Sequence, residues 1–136
     1  MSHRLHTAIM SSDEAKTIIK PYFDEILKQR EAHDFDKAVD LFDPDGVFID
    51  KGKHSAIYGR DALKKEHESY KEKIGKATPT ITNDHYYQFG DFISAVFDCE
   101  LNTDKGAKFK GHVTQIWRKA GDKYFMLHEE FTMNEA

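Results

Sequence analysis

Residues Asp34 to Asp50 read DFDKAVDLFDPDGVFID, and the fold turns on how this stretch is parsed. Phe35, Ala38, Val39, Leu41 and Phe42 recur at helical spacing behind Asp34, a residue type suited to capping a helix N-terminus. Asp43-Pro44-Asp45-Gly46 has turn chemistry and ends that helix. Val47, Phe48 and Ile49 then read as a short strand with Asp50 at its end. A short helix thus feeds, through a turn, a strand that delivers a carboxylate, and the rest of the chain supplies the walls around it.

Upstream, residues 1–10 lack periodicity and read as a loose tail preceding one domain over residues 11–136. Ser11 with Glu14 has the spacing of a capping box. Ala15, Ile18, Ile19, Tyr22, Phe23, Ile26 and Leu27 form one apolar stripe, predicting a helix from about Ser12 to Ala32. Pro21 lies inside it, but the stripe keeps phase across the proline, so one helix, possible kink included, is favoured. Downstream, Lys51 to Tyr58 reads as a polar connection. Gly59 to Ile74 reads as a third helix, with Leu63, His67, Tyr70 and Ile74 on one face and Gly75 as its C-terminal cap. Lys64, Lys65, Glu66, Glu68, Lys71, Glu72 and Lys73 mark its other faces as solvated.

From Thr78 the period changes to two. Thr80–Phe89, Phe92–Asn102, Lys108–Arg118 and Lys123–Met133 read as four strands joined by short glycine-containing turns, an antiparallel meander to which the Val47–Asp50 strand would add at an edge. Ile93, Ala95, Phe97, Cys99 and Leu101 mark one buried face. On the last two strands the more apolar face holds Phe109, Val113, Trp117, Phe125, Leu127 and Phe131. A curved sheet wrapped around the long helix would bury these faces in an α+β cone with three helices.

Bulk properties bound the function. The 136 residues suffice for one buried core, and 12% aromatic content argues against disorder. A net charge of −4 and a pI near 6.0 argue against nucleic-acid binding. No apolar run approaches the ~20 residues that span a membrane, and no signal-peptide pattern opens the chain. The single cysteine, Cys99, permits no internal disulfide and fits a reducing compartment, so a cytoplasmic location is expected. The eight histidines lack metal-binding spacings, and glycine-rich phosphate loops and nucleophile elbows are missing, so no metal or cofactor is expected.

The segments HDFDKAVDLFDPDGVFID, IYGRDAL and VTQIWRKAGDKYFMLHEEFT, in this order of elements, resemble the nuclear transport factor 2-like superfamily over about residues 12–133. That superfamily includes ketosteroid isomerases, SnoaL-type polyketide cyclases and the association domain of calmodulin-dependent kinase II, so the resemblance implies a fold more than a function. It places Asp50 where the isomerases keep their general base and His67 beside a supporting tyrosine position. The positions of the isomerases' oxyanion donors, a Tyr and a protonated Asp, fall on Ile26 and Val113 here, so neither donor is present.

Each candidate has a plainer alternative. Asp50 could be a base or the cap of a turn. Glu129, predicted to point inward between Leu127 and Phe131, could be catalytic or half of an ion pair at the rim or in a dimer interface. Gln115 could orient a ligand or hydrogen-bond Glu129, and His67 could assist catalysis or be a satisfied core histidine. Tyr22, Trp117 and Phe131 are candidate cavity walls, Tyr22 with its hydroxyl reaching inside. His112, His128 and Glu130 fall on the opposite face, which in the superfamily usually forms the dimer contact. Two readings follow: a small-molecule-binding cone, whose catalytic form would be an isomerase- or cyclase-type proton-transfer enzyme with Asp50 as base, or a non-catalytic association module. Either would be a homodimer or larger, because the sheet carries more apolar surface than three helices cover, and the first would take an apolar ligand.

Overall fold

The computed structural model describes residues 12–136, so the expectations for residues 1–10 and Ser11 lie outside the described residues. The first helix, α1, runs Asp13–Glu31 and is capped by Ser12, whose hydroxyl accepts from the Ala15 N–H at 3.1 Å. It continues through Pro21 and buries Ala15, Ile19, Phe23 and Ile26. Helix α2, Phe35–Asp40, is capped by Asp34, which accepts from the Lys37 N–H at 3.2 Å. Strand β1 spans Phe42–Asp50, a 3-10 turn Lys51–Lys53 follows, and β2 spans Ser55–Tyr58. Helix α3 is Arg60–Ile74, and β3 Ala77–Phe89, β4 Phe92–Thr103, β5 Lys108–Ala120 and β6 Lys123–Glu135 complete the chain.

The six strands form one mixed sheet in the order β2-β1-β6-β5-β4-β3. Strand β1 pairs parallel with β6, and every other neighbour is antiparallel. The core lies between α1 and the sheet's inner face, where Ile93, Ala95, Trp117 and Met126 are fully buried against Ile19 and Ile26. No helix among the described residues is long and apolar enough to cross a membrane.

Three sequence expectations change. Strand β1 is not at an edge, because Ser55–Tyr58 pairs with it from Val47↔Tyr58 to Asp50↔Ser55. Four residues with only Ser55 and Ile57 half-buried give too short an alternation to stand out within a polar run. The Asp43-Pro44-Asp45-Gly46 segment is not a turn between elements but an excursion within β1: Phe42 pairs with Met126 and Val47 already with His128. Side chains hold this excursion. Arg118 donates from Nε and Nη2 to the buried Asp43 carboxylate at 3.0 and 2.7 Å, and Asp43 also accepts from the Asp45 N–H at 2.9 Å. Arg60 donates to the Phe42 carbonyl at 2.9 and 2.7 Å, and the Gly59 N–H donates to the Gly46 carbonyl at 2.9 Å.

The third change is in β6. Its pairing with β5 steps from Ile116↔His128 to Trp117↔Met126, leaving Leu127 as a bulged residue. The buried set is therefore Tyr124, Met126 and then Glu129. Phe125 and Leu127, expected on the inner face, are only half-buried and do not join it. A strict period of two cannot cross an extra residue without inverting.

At Gly111 in β5 an added Cβ would run into the Thr132 carbonyl oxygen and backbone of β6. Gly111→Ala should therefore cost about 2–3 kcal/mol, because backbone rather than a flexible side chain must move. Urea denaturation checks this against Gly52→Ala, whose Cβ would meet only Asp50 Oδ1 at 3.6 Å. Equal midpoints for the two variants would contradict the close approach.

Candidate functional site

The inner face of the sheet, α1 and α3 enclose a cavity of about 340 Å³. Its walls are mostly apolar: Phe23 and Leu27 from α1, Phe48 from β1, Ile74 from α3, Pro79 and Ile81 from β3, Phe97 and Leu101 from β4, Phe109 and Val113 from β5, Phe131 and Met133 from β6. Arg30, His33, Asp50, His67, Tyr70 and Glu129 bring polar groups to that lining, and the exposed Lys53, Lys71 and Lys73 also border it. An apolar chamber with a few convergent polar groups is the usual form of a small-molecule site.

Asp50 ends β1 opposite Phe131, at the point where parallel pairing with β6 places its side chain beside the cavity. Its Oδ2 accepts from the Tyr70 hydroxyl at 2.9 Å, and its Oδ1 accepts from the Lys53 N–H at 3.3 Å. The Lys53 ammonium lies 4.0 Å away. Asp50 thus caps the turn after β1 and also lines the cavity. Burial, and then the neighbouring Asp50 carboxylate, push the Tyr70 hydroxyl above its ordinary pKa, keeping it a protonated donor.

Glu129 points inward as expected and forms the buried ion pair that was its alternative reading. It accepts from Arg30 Nη2 at 2.9 Å through Oε1 and from Gln115 Nε2 at 2.8 Å through Oε2. Gln115 Oε1 in turn accepts from the Trp117 indole N–H at 3.1 Å. The Arg30 guanidinium also lies 5.5 Å from the centre of the Phe42 ring. Gln115 and Trp117 are fully buried and stand behind the wall, outside the cavity lining. They brace Glu129 and do not face a ligand.

His67 sits among the rings of Phe35, Phe42 and Phe48 at centroid distances of 5.7, 6.2 and 6.1 Å. Both of its ring nitrogens are buried without a hydrogen-bond partner in the protein, and so is Arg30 Nε. Burial, and next the Arg30 charge, push its pKa down to about 2, so the ring is neutral. Cys99 also lines the cavity, and burial followed by Glu129 raises its thiol to about 11, which keeps it a poor nucleophile.

Of the predicted site residues, the cavity brings together Asp50, Glu129, His67 and Phe131, the last with its ring 5.1 Å from that of Phe48. Tyr22 is elsewhere: its hydroxyl reaches only the Asp122 carbonyl at 3.5 Å, and its ring packs on Tyr124. The next residue, Phe23, faces the chamber, so Tyr22 lies on the flank of the same helical turn. His112 pairs with Asp98, and His128 with Glu130 at 3.0 Å, away from the cavity lining. Sequence reasoning missed Arg30 and the contact of Tyr70 with Asp50. The signal for Arg30 was present: it extends the buried series Ile19, Phe23, Ile26 by four residues, a cation on an apolar stripe.

Residues 22–125 match the family described as SnoaL-like domain. Similar solved structures include a protein of unknown function from Pseudomonas putida described as NTF2-like, with TM-score 0.75 and 15% identity over 90% of this chain and 88% of that one. A putative aromatic ring hydroxylase from Novosphingobium aromaticivorans has TM-score 0.75 and 14% identity over 92% and 95%. A putative calcium/calmodulin dependent protein kinase II association domain from Xanthomonas campestris has TM-score 0.71 and 16% identity over 85% of each chain. At these identities the likeness shows the nuclear transport factor 2-like fold alone. No protein of curated function matches the sequence.

His67 generates a pH prediction. Its folded pKa lies near 2 against an ordinary 6.5, so below pH 6.5 the unfolded chain binds a proton that the folded chain refuses. Stability is therefore unaffected by His67 above that pH and falls as the pH drops below it. Between pH 7 and pH 5 the loss amounts to about 2 kcal/mol. Urea titrations at the two pH values should show His67→Leu losing that much less than the parent protein; equal losses would refute the assignment.

Proposed function

The chain belongs to the SnoaL-like domain family, and we propose that it binds an apolar carbonyl compound in its cone and that Asp50 removes a proton from the carbon beside the carbonyl. The observation that carries this reading is the Asp50 carboxylate in the wall of an apolar chamber of about 340 Å³, held by the Tyr70 hydroxyl at 2.9 Å. In the step, an Asp50 oxygen takes the proton, the C–H electrons move into the carbonyl and an enolate forms. Asp50 then returns the proton to the same carbon or to a conjugated one. Tyr70 fixes the carboxylate's orientation. The open chamber also favours ligand binding over an association module with a filled cone.

The test is deuterium exchange at the methyl group of 2-acetylnaphthalene in heavy water, followed by proton NMR. The protein should accelerate exchange, and Asp50→Asn should lower the rate by about 100-fold or more while still binding the ketone. Undiminished exchange by the variant would remove Asp50 from the chemistry.

Self-association is proposed as well. The outer sheet face carries the half-buried Val96, Thr114 and Ile116, and Phe89 and Phe92 at the β3–β4 turn are 50% and 41% exposed. Covering such surface favours pairing of two copies. Light scattering at micromolar concentration should give at least twice 15.8 kDa, and a monomer would overturn this. The lone thiol, free and buried, fits a reducing compartment, which supports the cytoplasm as the location.

A further inference from the structure

We propose that Arg30 and His67 form the receptor for the ligand's polar atom, and that this atom is an uncharged oxygen, a ketone or hydroxyl, in preference to a carboxylate. The inference rests on the ligand-binding reading above and deepens it. Three atoms carry it. Arg30 Nε and both His67 ring nitrogens are buried and make no hydrogen bond within the protein, and both residues line the cavity. His67 is only 6% exposed. Buried polar groups left this way are unusual and costly, so a polar partner delivered by a ligand has a specific place to go.

The chemistry of the partner follows from the inventory. Arg30 Nε is a donor, and a neutral imidazole offers one donor and one acceptor. The two donors suit a carbonyl oxygen, and a hydroxyl can in addition donate to the imidazole's acceptor nitrogen. Charge decides against an anion. The Arg30 cation is matched by Glu129 at 2.9 Å, and the remaining Glu129 oxygen is taken by Gln115, so the cluster is already neutral. Glu129 lies opposite Phe48 in the β1–β6 register, and Asp50 follows Phe48 by two residues on the same face. That places a second carboxylate roughly 7 Å farther along the strand. A ligand carboxylate at this receptor would bring a third negative charge to a buried cluster whose own cation is already matched, and the exposed Lys53, Lys71 and Lys73 that border the cavity are solvated and offset it weakly, whereas an uncharged oxygen adds none. The same pair would also meet the oxygen on which negative charge develops in the proposed proton transfer. It would do so with donors from α1 and α3, not from the positions occupied by Ile26 and Val113.

Three two-ring probes of matched frame test this by equilibrium dialysis: naphthalene, 2-acetylnaphthalene and 2-naphthoate. The ketone should bind about tenfold or more tighter than naphthalene, as a hydrogen bond to a charged donor implies, and the carboxylate should bind more weakly than the ketone. His67→Leu orphans no protein group, and Arg30→Met with Glu129→Leu removes both partners of the ion pair together; each should erase the preference for the ketone while naphthalene binding persists. Ketone and hydrocarbon binding equally, naphthoate binding tightest, or an intact preference in His67→Leu would overturn the inference while leaving the cavity reading in place. Failure of all three probes, naphthalene included, would overturn the cavity reading and this inference with it.

Discussion

The ion pair between Arg30 on α1 and Glu129 on β6 ties the long helix to the far side of the sheet and sets the character of the cavity between them. Glu129 is 5% exposed, and an unpaired carboxylate at that depth would cost several kcal/mol. Both Glu129 oxygens therefore have a constrained partner. One carboxylate oxygen takes Arg30, the other takes Gln115, and the Gln115 carbonyl takes the Trp117 indole N–H. The chain of bonds runs from the cavity wall into the core. Neither Gln115 nor Trp117 can serve a ligand without breaking it, which is why two residues that read as site candidates act as bracing.

A second constraint sets the position of Asp50. The carboxylate must end a strand that lies in the middle of the sheet, yet the preceding segment carries a proline without an N–H and a glycine. The chain accommodates both by leaving the ladder between Phe42 and Val47 and rejoining β6 at His128. Asp43, 3% exposed, supplies the anchor, gripped by Arg118 from β5. Arg60, at the start of α3, grips the Phe42 carbonyl. The same residues that close the excursion thus orient α3, and α3 brings His67 and Tyr70 to the cavity. Fold and site share these contacts.

The elements with long, unbroken periodicity were legible in the sequence: α1 from its apolar stripe, α3 from Leu63, His67 and Tyr70, and β4 from its strict alternation. What escaped had a local physical reason. The bulge at Leu127 inverts the alternation, so Phe125 and Leu127 exchanged roles with Tyr124 and Met126. The β1 excursion depends on Arg118, 75 residues away in sequence, and no local pattern contains that contact. At the site, Asp50, Glu129 and His67 were recognisable because polar residues stood on apolar faces. Tyr22 was misplaced because an apolar stripe is wider than the chamber: its neighbour Phe23 lines the cavity while Tyr22, on the flank, packs on Tyr124.

The departure from the isomerase pattern then has a structural meaning. Ile26 occupies the helix position of the oxyanion tyrosine and is completely buried in the core. Arg30 lies one turn farther along the same face, a displacement of about 6 Å. Val113, at the other donor position, is an apolar part of the cavity wall. Where the isomerases are expected to carry neutral hydroxyl and carboxylic-acid donors, this cone carries apolar side chains, and its polar cluster is a guanidinium neutralised by Glu129. A neutral donor pair can stabilise developing charge only through its own dipoles. A guanidinium whose Nε–H has no partner in the protein can do so with a full charge held in place by its counterion, and that arrangement is preorganised before any ligand enters. The cost is a buried carboxylate that must be matched, and Arg30, the Gln115–Trp117 brace and the Phe42 ring against the guanidinium supply that match, leaving Arg30 Nε for a ligand.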